Sequence, residues 1–293
     1  MDAVITYVNG SDPLWQADYA AFAGEPVLEK RYRDWGTLRY LLRGIETLMP
    51  FVDRVFLVVA RPSQVPSWAS PALIPVLHRD IIPAAFLPTF NSTTIELFLP
   101  RIPGLSEQFL YFNDDVFPLR PVTSEVFFPG GKPAKGYSRH LLAPNEFKRQ
   151  CRNACQLARK AAGLGESALF LRPQHAVTPL LKSVCLQLMD AVKAEMEARL
   201  TPLRHPSNIN QYLYSDYLLL TGQAVNRRIA QKHLSLGLYD AREVAAFLQR
   251  PTADFACIND VQMSQERFEE SRRILLEAFE ARFPAPSRFE CQP

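Results

Sequence analysis

The chain has 293 residues, 47% of them hydrophobic and 22% charged, which is enough apolar content to bury a sizeable core and argues against disorder. A formal net charge of +3 is far milder than a protein living on phosphate-backbone contacts carries, so nucleic acid is excluded as the main partner. No apolar run approaches the roughly 20 residues of a membrane span, and the opening MDAVITYVNG lacks the basic-then-apolar pattern of a signal peptide.

The predicted elements begin with a strand over Val4 to Val8, broken by the turn-forming Asn9-Gly10-Ser11-Asp12-Pro13. Asp34 has the side chain to cap a helix whose apolar positions Leu38, Leu41, Leu42, Ile45 and Leu48 keep helical spacing up to Pro50. Val55 to Ala60 is a continuous apolar run of the kind buried on both faces of a sheet, and Val76 to His78 is a weaker third strand. Thr94 to Leu99 reads as helical before Pro100, and Phe109 to Phe112 as the next strand. Strands alternating with helices imply a mostly parallel, Rossmann-like α/β sheet.

After Pro144 the pattern turns helical: Glu146 to Gly163, Val177 to Leu200, Ser207 to Gly222 and Gln265 to Phe283. The 24 prolines punctuate these segments without forming a linker. The expected organisation is one catalytic unit over 1–293, with an α/β core at 1–144, a mainly helical part at 145–256 and a returning segment at 257–293. The cysteines Cys151, Cys155, Cys185, Cys257 and Cys291 show no CxxC pairing, which suggests free thiols in a reducing, cytoplasmic compartment.

Two apolar runs end abruptly in Asn and Asp: VITYVNGSDP with Asn9 and Asp12, and FLYFNDDVF with Asn113, Asp114 and Asp115. Carboxylates delivered to the carboxyl edge of such a sheet sit where open α/β folds bind ligands. Strand alternation puts Asn113 and Asp115 on one side and Asp114 on the other, unless the chain turns there. Clustered oxygens of this kind suit Mg²⁺ or Mn²⁺ bridging a diphosphate, although an Asx turn at a strand end uses the same residues.

Lys30, Arg31, Arg33, Arg39 and Arg43 form a basic run in which Arg39 and Arg43 share a helix face, either to clamp phosphate or to lie solvated. Arg33 and Asp34, at the mouth of that helix, are better placed for an anion. His140, His175 and His205 lie in loop-like surroundings, open to acid–base chemistry or to a plain structural role. The basic stretch Lys148 to Lys160 reads either as a solvated helix or as a contact for an anionic membrane surface or polyanionic acceptor.

VITYVNGSDP, RYRDWGTLRYLLRGIE, LPTFNSTTIELFLPRIPGLSEQFLYFNDDVF and CIND occur here in the order of the four conserved regions of the Stealth family. The chain resembles these hexose-1-phosphate transferases of bacterial capsule and exopolysaccharide synthesis, which are similar to the catalytic part of the animal GlcNAc-1-phosphotransferase. The match spans nearly the whole chain and is most specific from Leu87 to Phe117. Two departures stand out: Tyr7 where members often carry Trp, and Val261 where many bacterial members place a second acid after Asp260.

The resemblance implies a core similar to GT-A glycosyltransferases, a divalent cation, and transfer of a sugar-1-phosphate, by default GlcNAc-1-phosphate, from a UDP-sugar to a hydroxyl of a polysaccharide or glycolipid, releasing UMP. With neither a signal peptide nor a span in the sequence, the enzyme is expected in the cytoplasm, with peripheral contact at the inner membrane face as the alternative. Residue by residue, the family motifs fall on Asn9, Gly10 and Asp12; on Arg33, Asp34 and Arg39; on Asn91, Ser92 and Glu96; on Asn113, Asp114 and Asp115; and, more loosely, on His175, Arg204, Asn259 and Asp260. The expected assignment makes Asp114, Asp115, Asn259 and Asp260 metal ligands. Asp12, His175, Arg39 and Arg204 become catalytic, with Asp12 or His175 as base, and Asn9, Gly10, Arg33, Asp34, Asn91, Ser92, Glu96 and Asn113 bind substrate. An ordinary glycosyltransferase releasing UDP and a non-catalytic glycan- or nucleotide-binding protein are the rival readings.

Overall fold

The computed structural model describes residues 1–23 and 32–291, so Lys30 and Arg31 lie outside the described residues. The first part runs β1 (Asp2–Thr6), α1 (Pro13–Ala23), α2 (Leu38–Leu48), β2 (Arg54–Val59), β3 (Leu73–Leu77), α3 (His78–Ile81), α4 (Ser92–Phe98), β4 (Gln108–Asn113) and β5 (Val116–Pro118). The middle holds β6 (Ala134–Lys135), β7 (Tyr137–His140), α5 (Glu146–Ala161), β8 (Phe170–Pro173), β9 (Thr178–Leu181), α6 (Lys182–Ala191), α7 (Lys193–Glu197) and α8 (Tyr212–Leu220). The last part adds β10 (Val225–Asn226), β11 (Gln231–Ser235), α9 (Ala241–Gln249), β12 (Phe255–Asn259) and α10 (Gln265–Arg282).

The central sheet has the order β3-β2-β1-β4-β9, with the first four strands parallel and β9 antiparallel to β4. Both faces are covered, which is why β1, β2 and β4 read as unbroken apolar runs. Ala3, Ile5, Leu57, Leu110 and Phe112 face a core shared with α2, α9 and α10, while Val4, Phe56, Val58, Phe109 and Tyr111 face one shared with α4, α5, α6 and α8. The chain runs from β1 outward to β2 and β3, then crosses back to place β4 on the other side of β1. The crevice at the carboxyl ends of β1 and β4, where Thr6 pairs with Asn113, is therefore the topological switch point of the sheet.

A second sheet, β11-β12-β5, grows directly out of the end of β4. Asp114 and Asp115 form the two-residue turn between β4 and β5, so the strand does turn there and simple alternation does not apply. Because β12 pairs antiparallel with β5, with Cys257 opposite Val116, the carboxyl-terminal segment is brought back to the same crevice.

Two expectations are corrected. Val177 to Leu200 is not helical throughout: Thr178–Leu181 is β9, because the exposed edge of β4 captures this apolar stretch as a strand before α6 begins. Asp34 does not cap α2; Thr37 holds that position, and the Asp34 carboxylate instead accepts from its own loop at Gly36 N, 2.8 Å away.

Candidate active site

A cavity of about 630 Å³ opens over the switch point, a size that suits a nucleotide-scale ligand. Its floor is the ends of β1 and β4. The Tyr111 hydroxyl meets Thr6 Oγ1 at 3.1 Å and accepts from Asn113 Nδ2 at 3.1 Å, which fixes Asn113 at the rim. Asp114 and Asp115 follow in the turn, and the Asp115 carbonyl accepts from Ile258 N at 2.9 Å, so that Asn259 and Asp260 emerge from β12 beside the acidic pair. Asp34 lies across the crevice. Burial, then Asp115, then Asp34 raise the Asp114 carboxyl to about 7, and burial followed by Asp34 and Asp114 raise the Tyr7 hydroxyl.

His175 reaches the site from the loop between β8 and β9, because β9 pairs with β4 so that Thr178 sits opposite Tyr111. Its Nε2 lies 3.7 Å from Asp115 Oδ2, and the Cys257 thiol donates to the same oxygen at 3.4 Å. Burial pushes the Asp115 carboxyl up, but His175 and Cys257 outweigh it and hold the group below its ordinary range. Arg204, from the loop after α7, donates to Ser92 Oγ at 2.8 Å at the start of α4 and sets a positive charge near Glu96, whose carboxyl burial nevertheless raises. Arg33, held against Met263 O at 3.3 Å and stacked on Phe268, supplies a second cation to the wall.

Arg33, Asp34, Ser92, Glu96, Asn113, Asp114, Asp115, His175, Arg204, Asn259 and Asp260 thus line one cavity. Asn9, Gly10, Asp12, Arg39 and Asn91 do not line it, and each has a physical reason. Asp12 spends its carboxylate on Leu14 N, Ser63 Oγ and Gln64 Nε2, at 2.7 to 3.0 Å, starting α1 and pinning the loop. Burial opposes ionisation there, yet Ser63 and Gln64 lower its carboxyl further than burial raises it. Asn9 accepts from Ser11 N and receives Gln64 on its carbonyl. Gly10 donates to Tyr32 O at 2.8 Å, and a Cβ there would meet that oxygen at 2.2 Å, so no side chain fits. Asn91 is fully buried, caps α4 through Thr93 N, and ties down Thr201 O, Leu203 O and Asn208 Oδ1. Arg39 stacks on Trp68, and Arg43 is buried in an ion pair with Glu290.

Sequence reasoning passed over Cys257, His233, Arg172 and Tyr7, which also face the cavity or its acids. Cys257 is the first residue of the CIND motif and His233 its partner across β11 and β12, a pairing that brings both toward Asp115.

For a divalent cation, the oxygens of Asp114, Asp115, Asn259 and Asp260 are a hard-donor set. Asp115 Oδ1 and Asn259 Oδ1 are buried without a hydrogen-bond partner among the described residues, as cation-seeking oxygens are. Asp115, His175 and Cys257 also bring one ligand atom each within 4.8 Å of one another, a softer set.

Two family models match the chain: Stealth protein CR2, conserved region 2, over residues 31–135, and Stealth protein CR4, conserved region 4, over residues 245–293. An exopolysaccharide phosphotransferase of Streptomyces coelicolor is 34% identical across 99% of this chain and 52% of its own length. A receptor polysaccharide phosphotransferase of Streptococcus oralis is 31% identical across 76% of this chain and 79% of its own. The chain spans about half the length of the Streptomyces relative. Among solved structures, a galactosyltransferase in complex with donor and acceptor sugar analogues is similar at 11% identity and a TM-score of 0.43, covering 98% of both chains.

Proposed function

The chain belongs to the Stealth family, and from that premise we propose that it transfers a hexose-1-phosphate from a UDP-sugar to a glycan hydroxyl, forming a phosphodiester and releasing UMP. The observation that carries this reading is the convergence of the oxygen donors Asp114, Asp115, Asn259 and Asp260 with Arg33, Arg204 and His175 on one cavity at the switch point. Attack at the β-phosphorus needs the diphosphate charge offset, the acceptor activated and the leaving UMP stabilised. Arg33 and Arg204 offset phosphoryl charge. The His175 imidazole takes the proton of the acceptor hydroxyl, through the ring nitrogen that does not face Asp115, as the acceptor oxygen bonds to phosphorus and the bond to the UMP oxygen breaks. Asp115, 3.7 Å away, orients the imidazole and stabilises its charged form.

His175 is preferred over Asp12 as base because the Asp12 carboxylate is already bonded to Leu14 N in its own turn and to Ser63 and Gln64 from the turn after β2. Asp114, Asp115, Asn259 and Asp260 would hold Mg²⁺ or Mn²⁺, which would supply charge neutralisation to the diphosphate when bound. UDP-GlcNAc is the donor and a polysaccharide or glycolipid the acceptor in this proposal; the names of the relatives as polysaccharide phosphotransferases support its polysaccharide side.

Identifying the nucleotide released from UDP-GlcNAc and acceptor glycan is the deciding experiment. UMP is expected. UDP as the product would mean attack at the anomeric carbon and an ordinary glycosyltransferase, while tight donor binding without turnover on any acceptor would leave only a binding protein.

A further inference from the structure

Lys135 is the one buried lysine among the described residues, 2% exposed at the end of β6. No carboxylate accepts from its ammonium; the three donors go instead to one bend of chain. They reach Ala176 O at 2.8 Å, Val177 O at 3.3 Å and Thr178 Oγ1 at 2.5 Å. An ammonium has three donors and no acceptor, so it suits a bend that presents two carbonyls and a hydroxyl, the Thr178 hydroxyl itself donating to Ala176 O at 3.1 Å. The desolvation is costly: burial pulls this amine down to about 7, with only the field of Glu96 opposing. A methionine would fill the same volume without that cost but would leave all three of these contacts unmade.

What Lys135 holds is the segment immediately after His175. The rest of that segment is tied as well: Gln174 N donates to Gly136 O at 2.7 Å, the Gln174 side chain exchanges bonds with Ile229, and Gln231 Nε2 donates to His175 O at 2.5 Å. The imidazole, by contrast, is one-third exposed and, among the described residues, has only the Asp115 contact at 3.7 Å to direct it. Its direction is therefore set by its backbone. We propose that Lys135 is a positioning residue for His175, fixing the Ala176–Thr178 backbone so that the imidazole meets Asp115 and the cavity.

The inference rests on His175 acting as base, and a double-mutant cycle separates the two claims. Lys135→Met should lower kcat by roughly 10- to 100-fold, as misplacement of a catalytic group does, with KM for UDP-GlcNAc held within about twofold. In the His175→Ala background the same substitution should cost nothing further. Losses that multiply in the double variant, or a loss confined to KM, would overturn the positioning role while leaving His175 in place. Near-native turnover in His175→Ala would instead remove the base assignment, and this proposal with it. Should Lys135→Met fail to fold, Thr178→Val removes one of the three acceptors and should show a smaller kcat loss with the same lack of additivity.

Discussion

His175 and Asp12 differ in what their side chains have left to offer. The imidazole has one contact among the described residues, at 3.7 Å, and faces the cavity, whereas the Asp12 carboxylate is taken up by Leu14, Ser63 and Gln64. His175→Ala should therefore lower kcat by about 10²- to 10⁴-fold with folding retained, and Asp12→Asn should cost at least tenfold less. Steady-state rates in the reverse order would make Asp12 the base. His78, 7% exposed at the start of α3, carries a different consequence. Burial lowers its imidazole from the ordinary 6.5 to about 4. Between those values the unfolded chain holds the extra proton, so stability is full above 6.5 and falls as pH drops toward 4, by up to about 3 kcal/mol. His78→Gln should flatten that part of the profile. Urea titrations at pH 7 and 4.5 test it: an unchanged difference between wild type and variant would show that other groups set the slope.

At the scale of elements, α2 and the end of the chain are joined by charge as much as by packing. Arg43 donates to both oxygens of Glu290 at 2.8 Å, to Glu280 at 3.0 Å and to the carbonyl of Phe283 at 2.7 Å. The Arg43 side chain is 6% exposed and that of Glu290 5%. Removing one partner strands the other: Glu290→Ala should destabilise by about 3–5 kcal/mol, and pairing it with Arg43→Met should recover much of that loss. Chemical denaturation of the two variants decides this, and a single variant as stable as the wild type would show that the pair is dispensable. The sequence placed Arg43 on a face with Arg39 as a phosphate clamp or a solvated run; neither description survives the contact with α10 and the residues after it.

For the molecule as a whole, the fold brings residues more than 140 positions apart into one acidic pocket, since Asp115 and Cys257 touch only when β12 returns to β5. If the donor set assigned above holds a required cation, EDTA should abolish turnover and added Mg²⁺ or Mn²⁺ should restore it; full activity after chelation would remove the metal from the mechanism. No described helix is long and apolar enough to cross a membrane.

The apolar runs of β1, β2 and β4 and the periodic faces of α2, α5 and α10 were readable because burial on both faces of a parallel sheet, or on one stripe of a helix, leaves a direct mark on residue type. The same abrupt ends that exposed the strands exposed Asn113, Asp114 and Asp115. The short strands β5, β8, β11 and β12 left no such mark: at three to five residues their conformation is decided by the partner they pair with rather than by their own composition. Only the tertiary structure therefore decided which carboxylates remain available. It turned Asp34 from a cap into a cavity wall, spent Asp12 and Asn91 on holding loops, and set His175 beside Asp115, because hydrogen-bond partners distant in sequence compete for each polar group and local pattern cannot say which will win.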